Sequence, residues 1–464
     1  MVKNSVIIFL TFILPLMGIS KQNVPPNILF ILVDDLGYSD VGYMGFKSDI
    51  KTPSIDKLAS EGVVFTNAYA TCPVCSPTRA SILTGKSPAA LHLTCHIPGM
   101  GMEKYIAYRS KGKPLLEAEF VDRLPLEETT IAELLNNNGY QTGFFGKWHL
   151  AGEGSQMTTD GMVAPAFHPD RQGFDVNMGG NAYGQPKSYF SPYGNGTIKD
   201  GEEGEYLTNR LTREAINFMG RSTKPFFCYL SYYSVHEPHQ APEKHINKNN
   251  GNKHHAMISC LDENVGHLLD FLDAKGISEN TVVIFYSDNG GLQNNPPLRD
   301  RKGSLYEGGI RVPLAVKYPS VIKEGSTCDK PVSSPDFFPT LAELAGIRLK
   351  NVEGLEGESL LSQLRGKKSK QTRPLFWHFP HHRNNKMAMA AAIREEDWKV
   401  IYEFESDKYS LFNLKIDLNE SEDLSTSYPE KVKELGAKLK KWQKKVNAVL
   451  PKKNLMLKNN KAIQ

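Results

Sequence analysis

The stretch from Cys75 to Gly85, CSPTRASILTG, places a thiol at the point where a helix is predicted to begin. Ser76 is a residue type that caps helices, Pro77 suits the first helical position, and Gly85 suits the residue after the last turn. The free N–H groups and the positive dipole end of such a helix attract anions. Arg79, one turn on, adds a fixed cation to the same face. The pattern indicates a nucleophile beside an anion site, and an inert buried cysteine is the alternative.

Paired polar residues follow two apolar runs that are typical of buried strands. Asp34 and Asp35 come directly after NILFILV, and Asp288 and Asn289 come just after TVVIFY. In α/β proteins the carboxyl ends of parallel strands form the edge at which ligands bind. Three carboxylates and an amide oxygen are hard ligands that suit Ca²⁺ or Mg²⁺. Ordinary turn chemistry is the alternative, because Asp-Asp and Asp-Asn-Gly sequences are common in turns.

Four further candidates lie in short polar segments. Lys147 and His149 follow a predicted strand, and His236 lies in the sequence His-Glu-Pro-His. Lys302 lies in the basic segment RDRKGS. Singly, each is explained as well by a hydrogen-bonded structural histidine or by a solvated surface charge. Only their combination with the aspartates and Cys75 indicates a site.

The order of predicted elements indicates an α/β fold. The predicted strands are 27–33, 63–69, 141–145, 225–233, 281–286, 312–318, 389–394, 398–404 and 409–414. The predicted helices are 53–61, 127–138, 206–219, 255–274, 334–345 and 429–446. Strands alternate with helices through most of the chain, which predicts a large, mostly parallel or mixed sheet sandwiched by helices.

The chain of 464 residues is long enough for a second, smaller domain. A basic, polar segment near residue 370 suggests a boundary, so that residues 21–370 form the larger domain. Residues 371–464 are then expected to form a C-terminal α+β subdomain of antiparallel strands with a basic helix and tail. Residues 153–201 are rich in Gly, Pro, Asn and Tyr, which favours binding loops.

The two ends of the chain bear on location and partners. A lysine, an apolar run and small residues predict a secretory signal peptide over residues 1–20, with no integral membrane span. The mature protein is therefore expected to be exported, either periplasmic or extracellular. From residue 430 onward there are eleven lysines and two acids, which is typical of a solvated helix face. Attraction to an acidic polymer is the alternative, whereas no reader motif favours nucleic acid.

Together these segments resemble the type I sulfatases, the formylglycine-dependent members of the alkaline phosphatase superfamily. The run from Cys75 fits that family's C-x-P-x-R signature followed by L-T-G, and DDLGYSD, GKWHL, HEPH, SDNGG and KGSLYEGGIRVP also match. The resemblance extends from about residue 26 to the C-terminal meander. It departs at Lys86, where many relatives have Arg, and at Thr78, where Ser is commoner. Charge and hydroxyl are kept at these two positions.

The resemblance implies a sulfuric ester hydrolase in which a separate maturating enzyme oxidises Cys75 to formylglycine. The hydrate of formylglycine is then the expected nucleophile. One Ca²⁺ per chain is also implied. Its expected ligands are Asp34, Asp35, Asp288, Asn289 and the modified Cys75.

The remaining catalytic roles follow from the same resemblance. Arg79 and Lys147 are expected to hold the formylglycine and its charge, and Lys302 the sulfate. His236 is expected to protonate the leaving alcohol as a general acid. His149 is expected to take a proton from the second hydroxyl, which expels sulfate and regenerates the aldehyde.

Export, the loops and the resemblance favour a sulfated poly- or oligosaccharide as the substrate. The candidate sugar contacts are His168, Arg171, Tyr183, Tyr189, Tyr193, His378, His381 and His382. For His381 and His382 a solvated turn is an equal alternative. Two other functions stay open, namely a phosphonate or phosphate ester hydrolase of the same superfamily and a non-catalytic anion-binding relative with unmodified Cys75.

Overall fold

The computed structural model describes residues 25–152, 165–350, 352–367, 373–383, 389–455 and 457. The predicted signal peptide and the first part of the predicted binding loops lie outside the described residues. Within these ranges, no helix has both the length and the apolar character that crossing a bilayer requires.

The strands are β1 (Asn27–Val33), β2 (Val63–Phe65), β3 (Ala68–Tyr69), β4 (Leu115–Leu116), β5 (Gln141–Gly146), β6 (Val176–Met178), β7 (Phe226–Ser231), β8 (Thr281–Ser287), β9 (Leu314–Lys317), β10 (Ser326–Cys328), β11 (Val332–Ser333), β12 (Leu375–Phe379), β13 (Ala390–Glu395), β14 (Trp398–Glu403), β15 (Lys408–Asn413) and β16 (Lys452–Lys453). The helices are α1 (Pro53–Ser60), α2 (Cys75–Thr84), α3 (Met102–Ser110), α4 (Ile131–Asn137), α5 (Leu207–Arg221), α6 (Glu243–Lys248), α7 (Lys253–Ala274), α8 (Glu307–Ile310), α9 (Phe337–Leu344), α10 (Leu361–Leu364) and α11 (Pro429–Lys445). Short 3₁₀ turns lie at Gly42–Met44, Pro165–Phe167, Pro169–Arg171, Ser278–Asn280 and Ser334–Asp336.

The large sheet has the strand order β10-β2-β9-β8-β1-β7-β5-β6. Only β9 runs antiparallel to its neighbours, β2 and β8, among the strand pairs of this sheet that the structure describes. Alternate residues of β1 enter opposite cores, with Phe30 and Leu32 on one face and Leu29 and Ile31 on the other. A strand that is apolar on both faces must be covered on both. The predicted α/β sheet between layers of helices is therefore confirmed.

The C-terminal part forms the separate antiparallel sheet β12-β13-β14-β15. One face of this sheet packs against α11 through Ile393, Val400 and Leu439. The other face packs against the larger part of the molecule, where Ala392 and Ile401 join the core that holds Tyr69. The predicted meander of three strands is therefore a sheet of four, since β12 adds an edge next to β13.

Several element boundaries differ from the sequence prediction for local reasons. The strand predicted over 63–69 is split into β2 and β3, which pair with different partners, β9 and β10 for the first and β11 for the second. The helix predicted from residue 127 begins at Ile131. Thr130 and Glu133 form a reciprocal capping box there, which satisfies free N–H groups at the start of α4.

A buried charge cluster joins the C-terminal sheet to the segment that carries Lys302. Lys399 of β14 lies 2.8 Å from Glu307 and 2.8 Å from Glu420, and all three side chains are fully buried. Arg299 donates a hydrogen bond of 2.7 Å to the main-chain oxygen of Glu420. Burial raises the pKa of Glu420 to about 7, despite the opposing charge of Lys399. The C-terminal sheet thus positions both ends of the segment around Lys302.

Replacing Lys399 by Met should strongly destabilise the protein, because it leaves two carboxylates buried without their shared cation. We expect the free energy of unfolding in urea to fall by about 3–5 kcal/mol. Lys438→Met is the matched control, since Lys438 also bridges two glutamates, at 2.5 and 2.8 Å, but on the surface. It should cost less than about 1 kcal/mol. Equal losses in the two variants would contradict the role assigned to the buried cluster.

Candidate active site

The carboxyl ends of four neighbouring strands, β5, β7, β1 and β8, meet at one edge of the large sheet. The parallel register aligns Gly146 with Ser231 and Val33 with Ser287. The segments that leave the sheet at this edge therefore start side by side. They carry Lys147 and His149, His236, Asp34 and Asp35, and Asp288 and Asn289.

Three carboxylates converge at this edge. Ligand oxygens of Asp34, Asp35 and Asp288 lie within 4.8 Å of one another, and all three residues are fully buried. The main chain turns sharply here, since Asp35 has a φ of 62°. This turn is held by hydrogen bonds from its N–H groups, one of 3.2 Å to Asp288 Oδ1 and one of 3.1 Å from Leu36 to Ser287 Oγ.

Three oxygen atoms of this cluster are buried without a hydrogen-bond partner among the described residues. They are Asp34 Oδ1, Asp35 Oδ2 and Asn289 Oδ1. Burial raises the pKa of Asp34, and burial together with the Asp34 charge raises the pKa of Asp288 to about 6. A hard divalent cation would coordinate these buried oxygens and would offset the repulsion between the neighbouring carboxylates. The residues present therefore fit a Ca²⁺ or Mg²⁺ ion.

The carboxylates of the cluster also pair with basic side chains. Lys147 Nζ lies 2.6 Å from Asp34, and Lys302 Nζ lies 2.5 Å from Asp35. Against the effect of burial, Lys302 and His236 lower the pKa of Asp35. The edge of the sheet therefore holds both signs of charge at close range, and the basic groups come from segments outside β1.

Hydrogen bonds from all three nitrogen atoms hold the guanidinium of Arg79 in place. Its Nε and Nη2 donate to Asp288 Oδ2 at 2.9 and 2.7 Å, and its Nη1 donates to the Lys147 main-chain oxygen and to Ser231 Oγ at 2.8 and 2.6 Å. This forked contact joins α2 to the ends of β5, β7 and β8, and only a planar guanidinium can make it.

Cys75 is the first residue of α2 and is 3% exposed. The prediction that Ser76 caps this helix is wrong, since Val74 precedes the helix and no side chain caps it. Ser76 Oγ instead accepts a hydrogen bond of 3.2 Å from the N–H of Ile97. That contact draws the segment around Ile97 against the start of α2, and the same segment orients His149.

His149 presents one ring nitrogen to Cys75. Its Nδ1 lies 3.3 Å from Cys75 Sγ, and its Nε2 donates a hydrogen bond of 2.9 Å to the Ile97 main-chain oxygen. Because a carbonyl oxygen only accepts, Nε2 carries the hydrogen and Nδ1 of the neutral ring is free to accept a proton. Burial, helped by the Lys147 charge, lowers the pKa of His149 to about 3.

The charges around Cys75 also act on its thiol. Burial raises the pKa of Cys75, but the charges of Lys147 and Lys302 outweigh burial, so that its pKa is lowered overall. Position 75 is therefore an environment that stabilises negative charge. The start of helix α2 and two lysines surround this position, and such groups stabilise an anionic ester or an oxyanion.

A cleft of about 420 Å³ opens onto this group of residues. Cys75, His149, His236, Lys302 and Tyr183 line it, as the sequence analysis expects of a single site. His236 stands near the mouth, with its side chain 15% exposed and its Nε2 3.6 Å from Asp35 Oδ2. Burial lowers the pKa of His236 to about 4, while the Asp35 carboxylate opposes this change.

The cleft also contains residues that the sequence analysis missed, namely His96, Gln185 and Arg383. Arg383 Nη1 donates to His96 Nδ1 at 3.3 Å. Gln185 lies in the predicted binding loops of residues 153–201, and Arg383 directly follows the candidate contacts His381 and His382. The sequence analysis therefore identified these two segments but not these residues, and it had no signal at His96.

Most of the predicted sugar contacts lie elsewhere in the described structure. His381 is fully buried, and its two ring nitrogens lie 2.7 Å from Glu117 and 2.8 Å from Thr94. His382 Nε2 donates a hydrogen bond of 2.9 Å to the Leu115 main-chain oxygen. These contacts hold the segment next to Arg383 in place. Neither histidine lines the cleft.

The other predicted sugar contacts are also structural or remote. His168 is 2% exposed, and Arg171 is on the surface beside Asp170. The remaining side chains are hydrogen-bonded inside the molecule, Tyr189 to Tyr233, Tyr193 to Glu205 and His378 to Val449. Of the predicted sugar contacts, only Tyr183 lines the cleft.

Comparison with known proteins gives the family. A family model described as Sulfatase matches residues 26–347, and one described as N-sulphoglucosamine sulphohydrolase, C-terminal, matches residues 300–448. A protein named Sulfatase from Formosa agariphila is 31% identical, over 96% of this chain and 94% of its own length. A protein named Ulvan-active sulfatase from the same organism is 32% identical, over 74% of this chain and 66% of its own length.

A solved structure gives the same result for the fold. The crystal structure of Ps i-CgsB in complex with k-i-k-neocarrahexaose has a TM-score of 0.76 and 30% identity, and covers 90% of this chain and 93% of its own. The family model spans more than half of the chain, and it includes the strand ends and the Cys75 segment that form the cleft. The chain therefore belongs to the sulfatase family of the alkaline phosphatase superfamily and is a sulfuric ester hydrolase.

Proposed function

We propose that this sulfatase removes sulfate from a sulfated poly- or oligosaccharide, with a formylglycine hydrate made from Cys75 and a bound Ca²⁺. The observation that carries the proposal is the position of Cys75, 3.3 Å from a ring nitrogen of His149 at the base of a cleft. The names of two similar proteins support the substrate class. One is an ulvan-active sulfatase, and the other is a structure bound to a neocarrahexaose.

Asp34, Asp35, Asp288 and Asn289 would hold the Ca²⁺, because three of their buried oxygens have no hydrogen-bond partner in the described structure. When bound, Ca²⁺ supplies Lewis-acid polarisation of a sulfate oxygen, and formylglycine supplies the nucleophilic oxygen that a thiol lacks. A separate maturating enzyme is the partner that this modification requires.

The protein's own cations hold the sulfate and the charge that develops on it. Lys147 pairs with Asp34 and Lys302 pairs with Asp35, and both lysines stabilise negative charge at position 75. Arg79 acts through position, since four of its five N–H groups donate to the ends of β5, β7 and β8, and it fixes α2 against the sheet. Such groups are aligned before the reaction, so that they need no reorganisation in the transition state.

Two histidines move the protons. His236 at the mouth of the cleft protonates the leaving alcohol from Nε2, because its Nδ1 donates to the Glu237 main-chain oxygen at 2.9 Å. An anionic ester in the cleft raises the pKa of His236 and so favours the charged ring. His149 Nδ1, which faces position 75, would accept the proton that a hydroxyl there loses as sulfate leaves.

We also propose the domain division and the location that the sequence predicts. Residues 1–20 are removed as a signal peptide, and the enzyme acts in the periplasm or outside the cell. The catalytic domain spans residues 21–370, and residues 371–464 form the C-terminal subdomain. The buried contacts of Lys399 support a subdomain that stabilises the catalytic one.

The first test is the chemistry of position 75 in protein from its native host. The peptide that contains Cys75 should be about 18 Da lighter than its cysteine form. Cys75→Ala should lower kcat on 4-nitrophenyl sulfate by at least about a thousandfold. A peptide that contains only cysteine, or an alanine variant with substantial activity, would contradict the mechanism. Faster turnover of an aryl phosphonate than of the sulfate would favour the alternative hydrolase.

Removal of the cation should lower thermal stability as well as activity. A ligand present at 100 times its Kd stabilises the folded state by about 2.7 kcal/mol, which corresponds to about 3 °C for a chain of this length. We expect chelation to lower the Tm by this amount and Ca²⁺ to restore it. Asp34→Asn should abolish the Ca²⁺-dependent shift. Asp262→Asn, a buried aspartate that instead accepts main-chain N–H groups of α1, should keep it. The same shift in both variants would exclude this site.

A substitution beside His149 tests the proton acceptor without removing it. A Cβ at Gly184 would lie 2.4 Å from His149 Cε1 and 2.7 Å from Nε2, so that Gly184→Ala must displace the ring. We expect kcat to fall at least about tenfold, with a smaller change in KM. Gly99→Ala is the control, because a Cβ there meets nothing within 4 Å. Equal kcat values for the two variants would remove His149 from the mechanism.

A further inference from the structure

A second cavity, of about 660 Å³, is lined in part by the chain segments that also line the active-site cleft. Two chain segments contribute to both. His236 lines the cleft, and His239, three residues later, lines the second cavity. Lys302 lines the cleft, and Arg301 lines the second cavity. Since adjacent Cα atoms are about 3.8 Å apart, the linings of the two cavities meet along these two segments.

Basic side chains outnumber acidic ones in the lining of the second cavity, where Lys47 pairs with the buried Asp40. The start of α7, a helix of 22 residues, forms one wall, and its first N–H groups have no partner inside the helix. Lys253 and Arg301 also line the cavity, and neither forms an ion pair with any residue that the structure describes. Asp49 is the acidic residue in the lining, and it lies 3.7 Å from His255.

A buried side chain in this cavity lacks a partner. His254 is 5% exposed, and neither of its ring nitrogens has a hydrogen-bond partner in the described part of the chain. His239 Nε2 is buried in the same way, with its ring centroid 5.5 Å from that of His254. Burial lowers the pKa of His254 to about 4, so that its neutral ring has one N–H to donate. A buried donor without a partner beside a cavity points to a ligand.

The surrounding charges favour an anion over a metal ion. The N-terminal end of α7, together with Lys253 and Arg301, repels cations. Among the described residues, the histidine nitrogens are not part of a group of three ligand atoms within 4.8 Å of one another. An anion, in contrast, accepts hydrogen bonds from N–H groups of the helix, from a neutral imidazole and from basic side chains.

We propose that the second cavity binds an anionic group, a sulfate ester or a carboxylate, on a sugar next to the one that loses its sulfate. This inference rests on the proposed carbohydrate sulfatase function, and it narrows the substrate to chains with more than one negative charge. The second cavity adds affinity for such chains, and a small aryl sulfate that occupies only the cleft does not reach it.

Substitutions at the start of α7 test the proposal. We compare kcat/KM on 4-nitrophenyl sulfate with that on carrageenan and ulvan oligosaccharides. Lys253→Gln should lower the ratio of oligosaccharide to aryl sulfate kcat/KM about tenfold through KM, since a charge-assisted contact is lost. Lys275→Gln, the same substitution at the exposed far end of the same helix, should leave the ratio unchanged.

Two variants of His254 separate hydrogen bonding from packing. His254→Phe keeps a ring but has no N–H, and it should lower the ratio as Lys253→Gln does. His254→Gln restores a donor and should recover most of the loss. A loss confined to carrageenan substrates identifies a sulfate in the cavity, and one confined to ulvan substrates identifies a carboxylate. An unchanged ratio in both Lys253→Gln and His254→Phe would overturn the proposal.

Direct binding distinguishes this inference from the proposed function. If the wild type hydrolyses the aryl sulfate but neither oligosaccharide, the proposed substrate class is wrong. Calorimetric titration with the same oligosaccharides then tests whether the second cavity binds an anion. Equal affinities of the wild type and Lys253→Gln would overturn that proposal. Titration with Zn²⁺ tests whether the second cavity binds a metal ion instead. Tight binding that His254→Phe abolishes would show a metal site in place of an anion site.

Discussion

The structure depends on a single electrostatic constraint, the presence of three buried carboxylates at the edge of one sheet. Charges of like sign within 4.8 Å of one another in a medium of low dielectric repel strongly unless opposite charge lies among them. Lys147, Lys302 and Arg79 supply part of that charge, and the unpaired oxygens leave room for a cation. The same positive groups also attract an anionic substrate. The charges that stabilise the carboxylate cluster are therefore the charges that make the site reactive.

This constraint explains why the site draws on most of the chain. Each basic group comes from a different element, since no single strand end can carry both the acids and their partners. The segment that carries Lys302 is held in place from outside the large sheet, because Lys399 binds Glu307 and Glu420. The C-terminal sheet therefore helps to position the site, although Arg383 is the only described residue beyond position 370 that lines the cleft.

The sequence was informative where chemistry coincides with a strand end. Asp34 and Asp288 follow apolar runs that form neighbouring strands, and parallel pairing brings any such residues together. It was uninformative where position depends on contacts between distant loops. Nothing near Ser76 indicates that its hydroxyl binds the N–H of Ile97. The segment before Arg383 was identified, but the wrong residues of it were chosen, since Arg383 lines the cleft. The pair His381 and His382 looked like an exposed binding motif, but Glu117 and Leu115 hold both rings inside.

The burial of Cys75 bears on the order of events in biosynthesis. Only 3% of this residue is exposed, and Arg79, on the next turn of α2, ties the helix to three strand ends. An enzyme that oxidises Cys75 must reach its thiol, and in the folded chain Cys75 and every other residue of α2 are buried. If Cys75 is oxidised as proposed, the reaction must precede the docking of α2. The lifetime of the unfolded chain would then set the fraction of active enzyme, and faster folding would be a disadvantage.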